Sequence, residues 1–285
     1  MSLELVLRSP PADHPGTWGS VSLAGLLPER LAESSASEVE QFPISCDGRP
    51  ARLSDCFSVS GNAADGVLHC HGDFSRVHYL GAGLTRGEVV VHGDVGRHTG
   101  EGMTGGILDV SGDAGDWLAC GMAGGIVRVG GNAGDNAAAS LPGERQGMTG
   151  GSVTIGGSVG SLAGSRMRRG ILVVGSDCGE AAGFEMLAGT VLVAGRPGKF
   201  AGLGMRRGSV ILLGATEAED VTAWLPPTFR RGAVWTPAFL PLLAQQLSSV
   251  GFATATTGNW CCPWQQWHGD TLCGGRGEIL VPAAR

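Results

Sequence analysis

A repeat of 19 residues runs through the middle of the chain and constrains its fold more than any other feature. Two copies adjoin without a gap, EVVVHGDVGRHTGEGMTGG over residues 88–106 and ILDVSGDAGDWLACGMAGG over residues 107–125. Further copies begin at Val67, Ile126, Ser152, Ile171 and Thr190, with two extra residues in the first and seven after Ala138. This period predicts a solenoid, because a single copy cannot bury its own apolar face and must stack on its neighbours.

Three positions of the repeat indicate its inner face. The second and fourth residues are apolar in every copy, which is the period of two expected for a strand with one buried face. The sixteenth residue is Leu84 in the first copy and methionine in the others, so every methionine except the initiator occupies this slot. Long, adaptable apolar side chains at one repeated position predict an inward ladder, and a methionine-rich binding surface is the alternative.

Small residues, mostly glycine, recur at the sixth and ninth positions of the repeat. They predict corners with positive φ and close approach of successive coils. The residue after the sixth position changes from Asp73, Asp94 and Asp113 to Asn132, which excludes a calcium site in every coil and leaves a local Asx turn. The predicted fold is all-β, a single parallel β-helix of about seven coils with three short strands per coil.

The flanking segments lack the repeat and are expected to cover its open ends. Residues 1–66 predict an α+β cap, with strands over 2–7, 21–23 and 57–60 and helical turns over 26–32 and 37–41. The β-helix is assigned to residues 67–214. Residues 215–285 predict a helix from Thr236–Pro237 to about Val250 and a tail whose tryptophans pack on the solenoid or, alternatively, anchor a partner.

Composition excludes several classes of function. A net charge of −6 disfavours a nucleic-acid partner. No apolar run is long enough to cross a membrane and the N-terminus lacks a signal-peptide core, so a cytoplasmic location is expected. The eight cysteines form no CxxC pair, which favours reduced thiols.

Catalytic and metal-binding patterns are scarce in the chain. His71 and His92 share an outward slot in adjacent coils, but Ser111 follows them, so surface histidines without a metal are favoured over a metal site. No nucleophile elbow, P-loop or HExxH motif occurs. We therefore assign no catalytic and no metal-ligating residue, and the sequence indicates a scaffold before an enzyme.

Three sets of residues are candidates for binding. Isoleucine occupies the outward first position of the strand at Ile107, Ile126 and Ile171, and such a stripe predicts contact with a partner. Trp264 and Trp267 are further interface candidates. The remaining candidate is a basic corner, formed two coils apart by Arg168, Arg169, Arg206 and Arg207. It predicts either a solvated corner or a patch for an acidic partner or a polyanionic ligand.

The glycine spacing GxxGxxxG of Gly93, Gly96 and Gly100 recurs twice more, at residues 157, 160 and 164 and at residues 195, 198 and 202. This spacing resembles the C-terminal β-helix of the large subunit of glutamate synthase. It is more similar to the β-helical third subunit of formylmethanofuran dehydrogenase and of the related bacterial formyltransferase/hydrolase complex. GLLPERLA over residues 25–32 and GRGEIL over residues 275–280 also resemble that third subunit.

The resemblance implies a non-catalytic scaffold subunit of a complex that transfers a formyl group from a tetrahydromethanopterin carrier to a methanofuran-type cofactor and hydrolyses it to formate. Implied partners are an amidohydrolase-like hydrolase that holds the metal, a formyltransferase and a dehydrogenase-like subunit. The alternatives are the third subunit of a molybdenum or tungsten formylmethanofuran dehydrogenase, a stand-alone β-helix acyltransferase or sugar lyase, and a glutamate-synthase-like module that couples two active sites.

Overall fold

The computed structural model describes residues 2–9, 18–215, 221–249 and 260–283, and these residues are mostly β. The strands are β1 (Leu3–Leu7), β2 (Val21–Ser22), β3 (Pro43–Cys46), β4 (Arg49–Arg52), β5 (Phe57–Ser60), β6 (Val67–His71), β7 (Val77–His78), β8 (Glu88–His92), β9 (Thr104–Val110), β10 (Gly124–Val129), β11 (Ser152–Ile155), β12 (Ile171–Val174), β13 (Thr190–Val193), β14 (Arg207–Leu212), β15 (Arg230–Trp235), β16 (Trp264–Gly269) and β17 (Arg276–Pro282). The helices are α1 (Pro28–Leu31), α2 (Ala36–Glu40), α3 (Leu53–Cys56) and α4 (Phe239–Ser249), with short 3-10 turns at Val221–Ala223 and Thr271–Cys273.

Thirteen strands form one mixed sheet in the order β15-β16-β17-β14-β13-β12-β11-β10-β9-β8-β6-β1-β5. From β6 to β14, each strand pairs in parallel with the strand of the next repeat. Ile107 lies opposite Ile126, and Ile126 lies opposite Ser152 despite the seven intervening extra residues. The strands therefore pair in the frame of the sequence repeat.

Beyond its strand, each repeat adds an isolated parallel bridge at the eighth position, from Phe74–Val95 to Cys178–Pro197. Most of the remaining residues lie in turns and bends, so the structure assigns one strand and one isolated bridge to each repeat where the sequence predicted three short strands. In the third copy the residues Trp117, Ala119 and Gly121 all have positive φ. An alternation of left-handed residues cannot continue an extended strand.

The inner positions form the core. Leu84 and all six methionines of the repeat are fully buried, which confirms the inward ladder and excludes the methionine-rich surface: Met103, Met122, Met148, Met167, Met186 and Met205. The apolar second and fourth positions are buried in every copy as well. These side chains belong to one cluster that continues into the caps.

At the ninth position of the repeat, only one of the two predicted reasons for glycine applies. Gly179 there has no positive φ, but an added Cβ would lie 2.6 Å from the carbonyl carbon of Gly160. Close approach of adjacent coils therefore explains this glycine. Positive φ is found at the sixth position in the first two copies, Gly72 and Gly93, and at the last position of every copy, for example 94° at Gly125.

The aspartates after the sixth position connect coils more often than they make local turns. Asp73 Oδ1 accepts the N–H of Ser75, which is the expected Asx geometry. Asp94 Oδ1 instead accepts the N–H of Asp113 in the next coil at 2.8 Å, and Asp113 does the same for Asn132. The local-turn prediction thus holds at Asp73, and the later side chains link stacked repeats.

Both ends of the repeat are continued by strands from the flanking segments. β1 pairs in parallel with β6, and β5 pairs antiparallel with β1. At the other end β17 pairs in parallel with β14, and β16 and β15 follow antiparallel. The strands and helical turns predicted before the repeat are confirmed within two residues, whereas β3, β4 and α3 were not predicted.

Helix α4 lies on the outer face of the last repeats. Its residues Leu240, Leu243 and Leu247 are buried in a second apolar cluster with Trp260 and Trp264. The sheet contributes outward side chains to this cluster, namely Val173, Leu192, Ile211 and Leu280. The predicted helix is confirmed with a start at Phe239, and its predicted end near Val250 lies outside the described residues.

Candidate functional site

The outward side chains of β6, β8, β9 and β10 form a surface that we call the early face. It consists of Val67, His69, His71, Glu88, Val90, His92, Ile107, Asp109, Ser111, Ile126 and Arg128, and none of them is fully buried. Ile107 and Ile126 are direct cross-strand neighbours and partly exposed. The predicted isoleucine stripe divides here, because Ile171 packs at the margin of the cluster under α4.

An ion pair crosses the early face between β9 and β10. Arg128 Nη1 donates to Asp109 Oδ2 at 2.9 Å and to Oδ1 at 3.2 Å, and each side chain is about one third exposed. Arg128 Nε is buried without a hydrogen-bond partner among the described residues.

Three histidines stack at the other end of the early face. The ring centroids of His71 and His92 are 4.5 Å apart with an interplanar angle of 11°, and those of His69 and His92 are 5.7 Å apart. Two of the ring nitrogens, His92 Nε2 and His69 Nδ1, lie 3.4 Å apart. Among the residues that the structure describes, no group of three His, Cys, Asp or Glu side chains could hold a metal ion.

The two tryptophan candidates lie at buried positions. Trp264 is fully buried in the cluster under α4, so its side chain has no surface to offer a partner. Trp267 is half-buried and packs against the main core. Their positions agree with tryptophans that pack on the flank of the repeat.

The arginines of the basic corner lie where the sequence frame places them, and all four are exposed. Arg168 and Arg206 each donate a backbone N–H to the methionine one coil below, Met148 and Met186. In the coil between the two arginine pairs, the equivalent positions are Leu187 and Ala188. Strand β17 adds Arg276, which lies opposite Arg207 in register and was not predicted. Only the pairing of residues far apart in the sequence brings it there.

The seven-residue insertion is held by arginines beside this corner. Arg166 Nη1 donates to the Glu144 carbonyl at 3.2 Å, and Arg166 Nε lies 2.7 Å from Glu185 Oε2. Arg168 Nη1 donates to Gln146 Oε1 at 3.3 Å. Part of the basic corner therefore has a structural role in anchoring the insertion.

Comparison with known proteins identifies a relative among solved structures. No protein-family model and no curated protein matches the chain. A chain of the formyltransferase/hydrolase complex FhcABCD from Methylorubrum extorquens, determined by X-ray crystallography in complex with methylofuran, is 34% identical with a TM-score of 0.86. The match covers 99% of this chain and 100% of that one. This chain belongs to the same family as that FhcABCD chain.

The two motifs outside the repeat join the flanking segments to the coils. In GLLPERLA, Glu29 Oε1 accepts the N–H of Thr85 at 2.9 Å and its hydroxyl at 3.1 Å. In the tail, Glu278 Oε1 accepts the hydroxyl of Ser209 at 2.6 Å, and Ile279 is fully buried in the core. These two motifs, which suggested the family, therefore connect the flanking segments to the repeat through hydrogen bonds and core packing.

In this FhcABCD relative, burial limits the reactivity of the cysteine thiols inside the repeat. Desolvation raises the pKa of Cys120 to about 12, and that of Cys178 likewise to about 12. The pKa of Cys70 is raised for the same reason. These thiols stay protonated near neutral pH, so they do not supply a thiolate nucleophile. In the described part of the chain, no helix has the length and apolarity needed to span a membrane.

Proposed function

We propose that this chain is the non-catalytic scaffold subunit, equivalent to the β-helical third subunit, of a formyltransferase/hydrolase complex. The observation that carries the proposal is the full-length match to an FhcABCD chain at 34% identity. The proposed complex moves a formyl group from a tetrahydromethanopterin carrier to a methanofuran-type cofactor and hydrolyses it to formate. The FhcABCD match favours this assignment over a molybdenum or tungsten dehydrogenase.

The proposed architecture is a parallel β-helix over residues 67–214, with a cap over 1–66 and a helix and tail over 215–285. Two ladders support stacked coils, namely the parallel strands β6 to β14 and the bridges from Phe74 to Pro197. A solenoid of this kind is rigid along its axis, because each coil is hydrogen-bonded to both neighbours. Rigidity suits a part that keeps other subunits at fixed positions.

We assign no catalytic residue to this chain. In the proposed complex the metal and both active sites belong to an amidohydrolase-like hydrolase and a formyltransferase, with a dehydrogenase-like subunit as a further partner. A complex of such enzymes is expected in the cytoplasm.

The early face is the proposed docking surface for another subunit. It combines the partly exposed Val90, Ile107 and Ile126 with the partly exposed ion pair of Arg128 and Asp109. An apolar centre with a polar rim is typical of subunit interfaces. The basic corner is a second proposed contact, for an acidic partner surface or a polyanionic ligand.

Affinity purification of the tagged chain from its native host tests the proposal. We expect a formyltransferase and an amidohydrolase-like hydrolase to co-purify and to be identified by mass spectrometry. The recovered complex should transfer and hydrolyse formyl groups, and the separated chain should do neither. Activity of the pure chain, or recovery of molybdenum or tungsten subunits instead, would contradict the assignment.

A further inference from the structure

A polar cleft of about 640 Å³ lies where the N-terminal cap meets the first coils. Its lining residues are Gly19, Ser20, Ser75, Arg76, His78, Arg97, Gly115 and Asp116. Cavities of roughly 300–1,000 Å³ are the usual size of small-ligand sites. Asp116 and His78 also bond to backbone N–H groups of adjacent coils, whereas the side chains of Arg76 and Arg97 make no such bond between coils, so these two cations call for a separate explanation.

The two extra residues of the first repeat build one wall of the cleft. The N–H of Val77 donates to the Phe74 carbonyl at 2.8 Å and closes a turn that carries Arg76 outward. The same insertion lets β7 pair with β2 of the cap, where the N–H of Val21 donates to the Arg76 carbonyl at 2.9 Å. No other copy has this two-residue insertion.

His78 lines the cleft, and one backbone hydrogen bond fixes its tautomer. Its Nδ1 accepts the backbone N–H of Arg97 at 3.0 Å, so the ring proton resides on Nε2. Burial, with help from the charges of Arg97, His98 and Arg76, lowers the pKa of His78. The imidazole therefore stays neutral near pH 7 and keeps this tautomer.

The charged groups of the cleft are two guanidinium groups and one carboxylate. Arg97 meets Asp116 through Nε at 3.5 Å, and its side chain is 65% exposed, so this pair is weak. Asp116 Oδ1 also accepts the N–H of Asp135 at 3.1 Å, which gives the carboxylate a structural role between coils. Arg76 makes a long contact of 3.4 Å to the Gly19 carbonyl. The lining residues thus carry one more positive than negative charge, while the carboxylates of Asp47 and Asp73 lie beside the cleft.

We propose that this cleft binds a small molecule through an oxyanion group, either a carboxylate or a phosphate. Guanidinium groups recognise both oxyanions through paired N–H donors, and a neutral imidazole N–H adds a third donor. The ligand would lie between the cap and the second and third coils. Its binding would fix the cap against the repeat.

Calorimetric titration of the full chain with inorganic phosphate and, separately, with glutarate tests the proposal at constant ionic strength. We expect saturable binding of at least one probe, and the tighter probe identifies the preferred oxyanion. The double variant R76Q/R97Q should weaken that binding by at least about tenfold, because it removes both guanidinium groups. The exposed Arg86→Gln is the matched control and should retain it.

Equal loss in Arg86→Gln and R76Q/R97Q would overturn the proposal, because binding would then be non-specific attraction to charge. Absence of saturable binding of both probes to the wild-type chain would overturn it as well. If the double variant fails to fold, the ring resonances of His78 in the wild-type chain decide the question. Saturable shifts confined to His78 among the histidines support the site, and unchanged His78 resonances contradict it.

Discussion

The outer faces of the early and the late repeats share one backbone design and differ in what covers them. At the third position of the strand, Val90, Asp109 and Arg128 are partly exposed, whereas Leu192 and Ile211 are fully buried under α4. The inner face is the same in both regions, with buried methionine in each. The difference teaches that, within the described residues, α4 covers the outer face of the late repeats and leaves the early face partly exposed.

Polar substitution at the third position should give the largest contrast between the two regions. Leu192→Asn is expected to lower the free energy of unfolding by about 3–5 kcal/mol, because it removes a buried side chain and places an amide under α4. Val90→Asn, at the same position of an early coil, should cost about 1 kcal/mol or less in the isolated chain. Urea denaturation of both variants measures the contrast. Equal costs would show that the early position is as buried as the late one.

Shortening a methionine side chain of the inner ladder should cost the same stability in an early and in a late repeat. Met103→Ala and Met186→Ala each delete a fully buried side chain, and each should lower the free energy of unfolding by about 2–5 kcal/mol. The two costs should agree within about 1 kcal/mol, because both side chains fill the same slot. The midpoints of urea denaturation provide the comparison. A much larger cost at Met186 would mean that α4 stabilises the interior as well as the outer face.

The smallest expected effect is a pH dependence at the cap end of the early coils. The pKa of His78 is lowered in the folded chain, mainly by burial, so the unfolded chain binds its proton more readily. This contribution to stability is present above the unfolded pKa of about 6.5 and is lost as the pH falls through the folded value. Between pH 7 and pH 5 the wild-type chain should lose more stability than His78→Gln. If the stability of the two chains changed with pH in parallel, His78 would not be the source of the pH dependence.

Much of the repeat could be predicted from the sequence because its information is local. The apolar alternation and the methionine slot indicated the strand frame and the inner ladder, and Thr236–Pro237 indicated α4. Tight turns escaped prediction because Trp117 and Ala119 are non-glycine residues with positive φ. Sequence patterns give little warning of such conformations, which the stacked coils impose.

The candidate surfaces were less predictable, since they depend on contacts between distant segments. The isoleucine pattern did not indicate where α4 would pack. The helix and its apolar cluster reach Ile171 but do not include Ile107. Arg276 joins the basic corner only through the pairing of β17 with β14. The oxyanion cleft depends on a two-residue insertion that in sequence is only an irregularity of the first copy.

Histidine labelling tests most directly whether the early face is an interface. Diethyl pyrocarbonate modification is measured by mass spectrometry on the isolated chain and on the co-purified complex. His92 is exposed on the early face, and His268 on β16 lies outside it. We predict that assembly lowers the labelling of His92 at least about fivefold, because interface cores exclude solvent, and leaves His268 unchanged. Equal labelling of His92 in the free chain and in the complex would contradict the account.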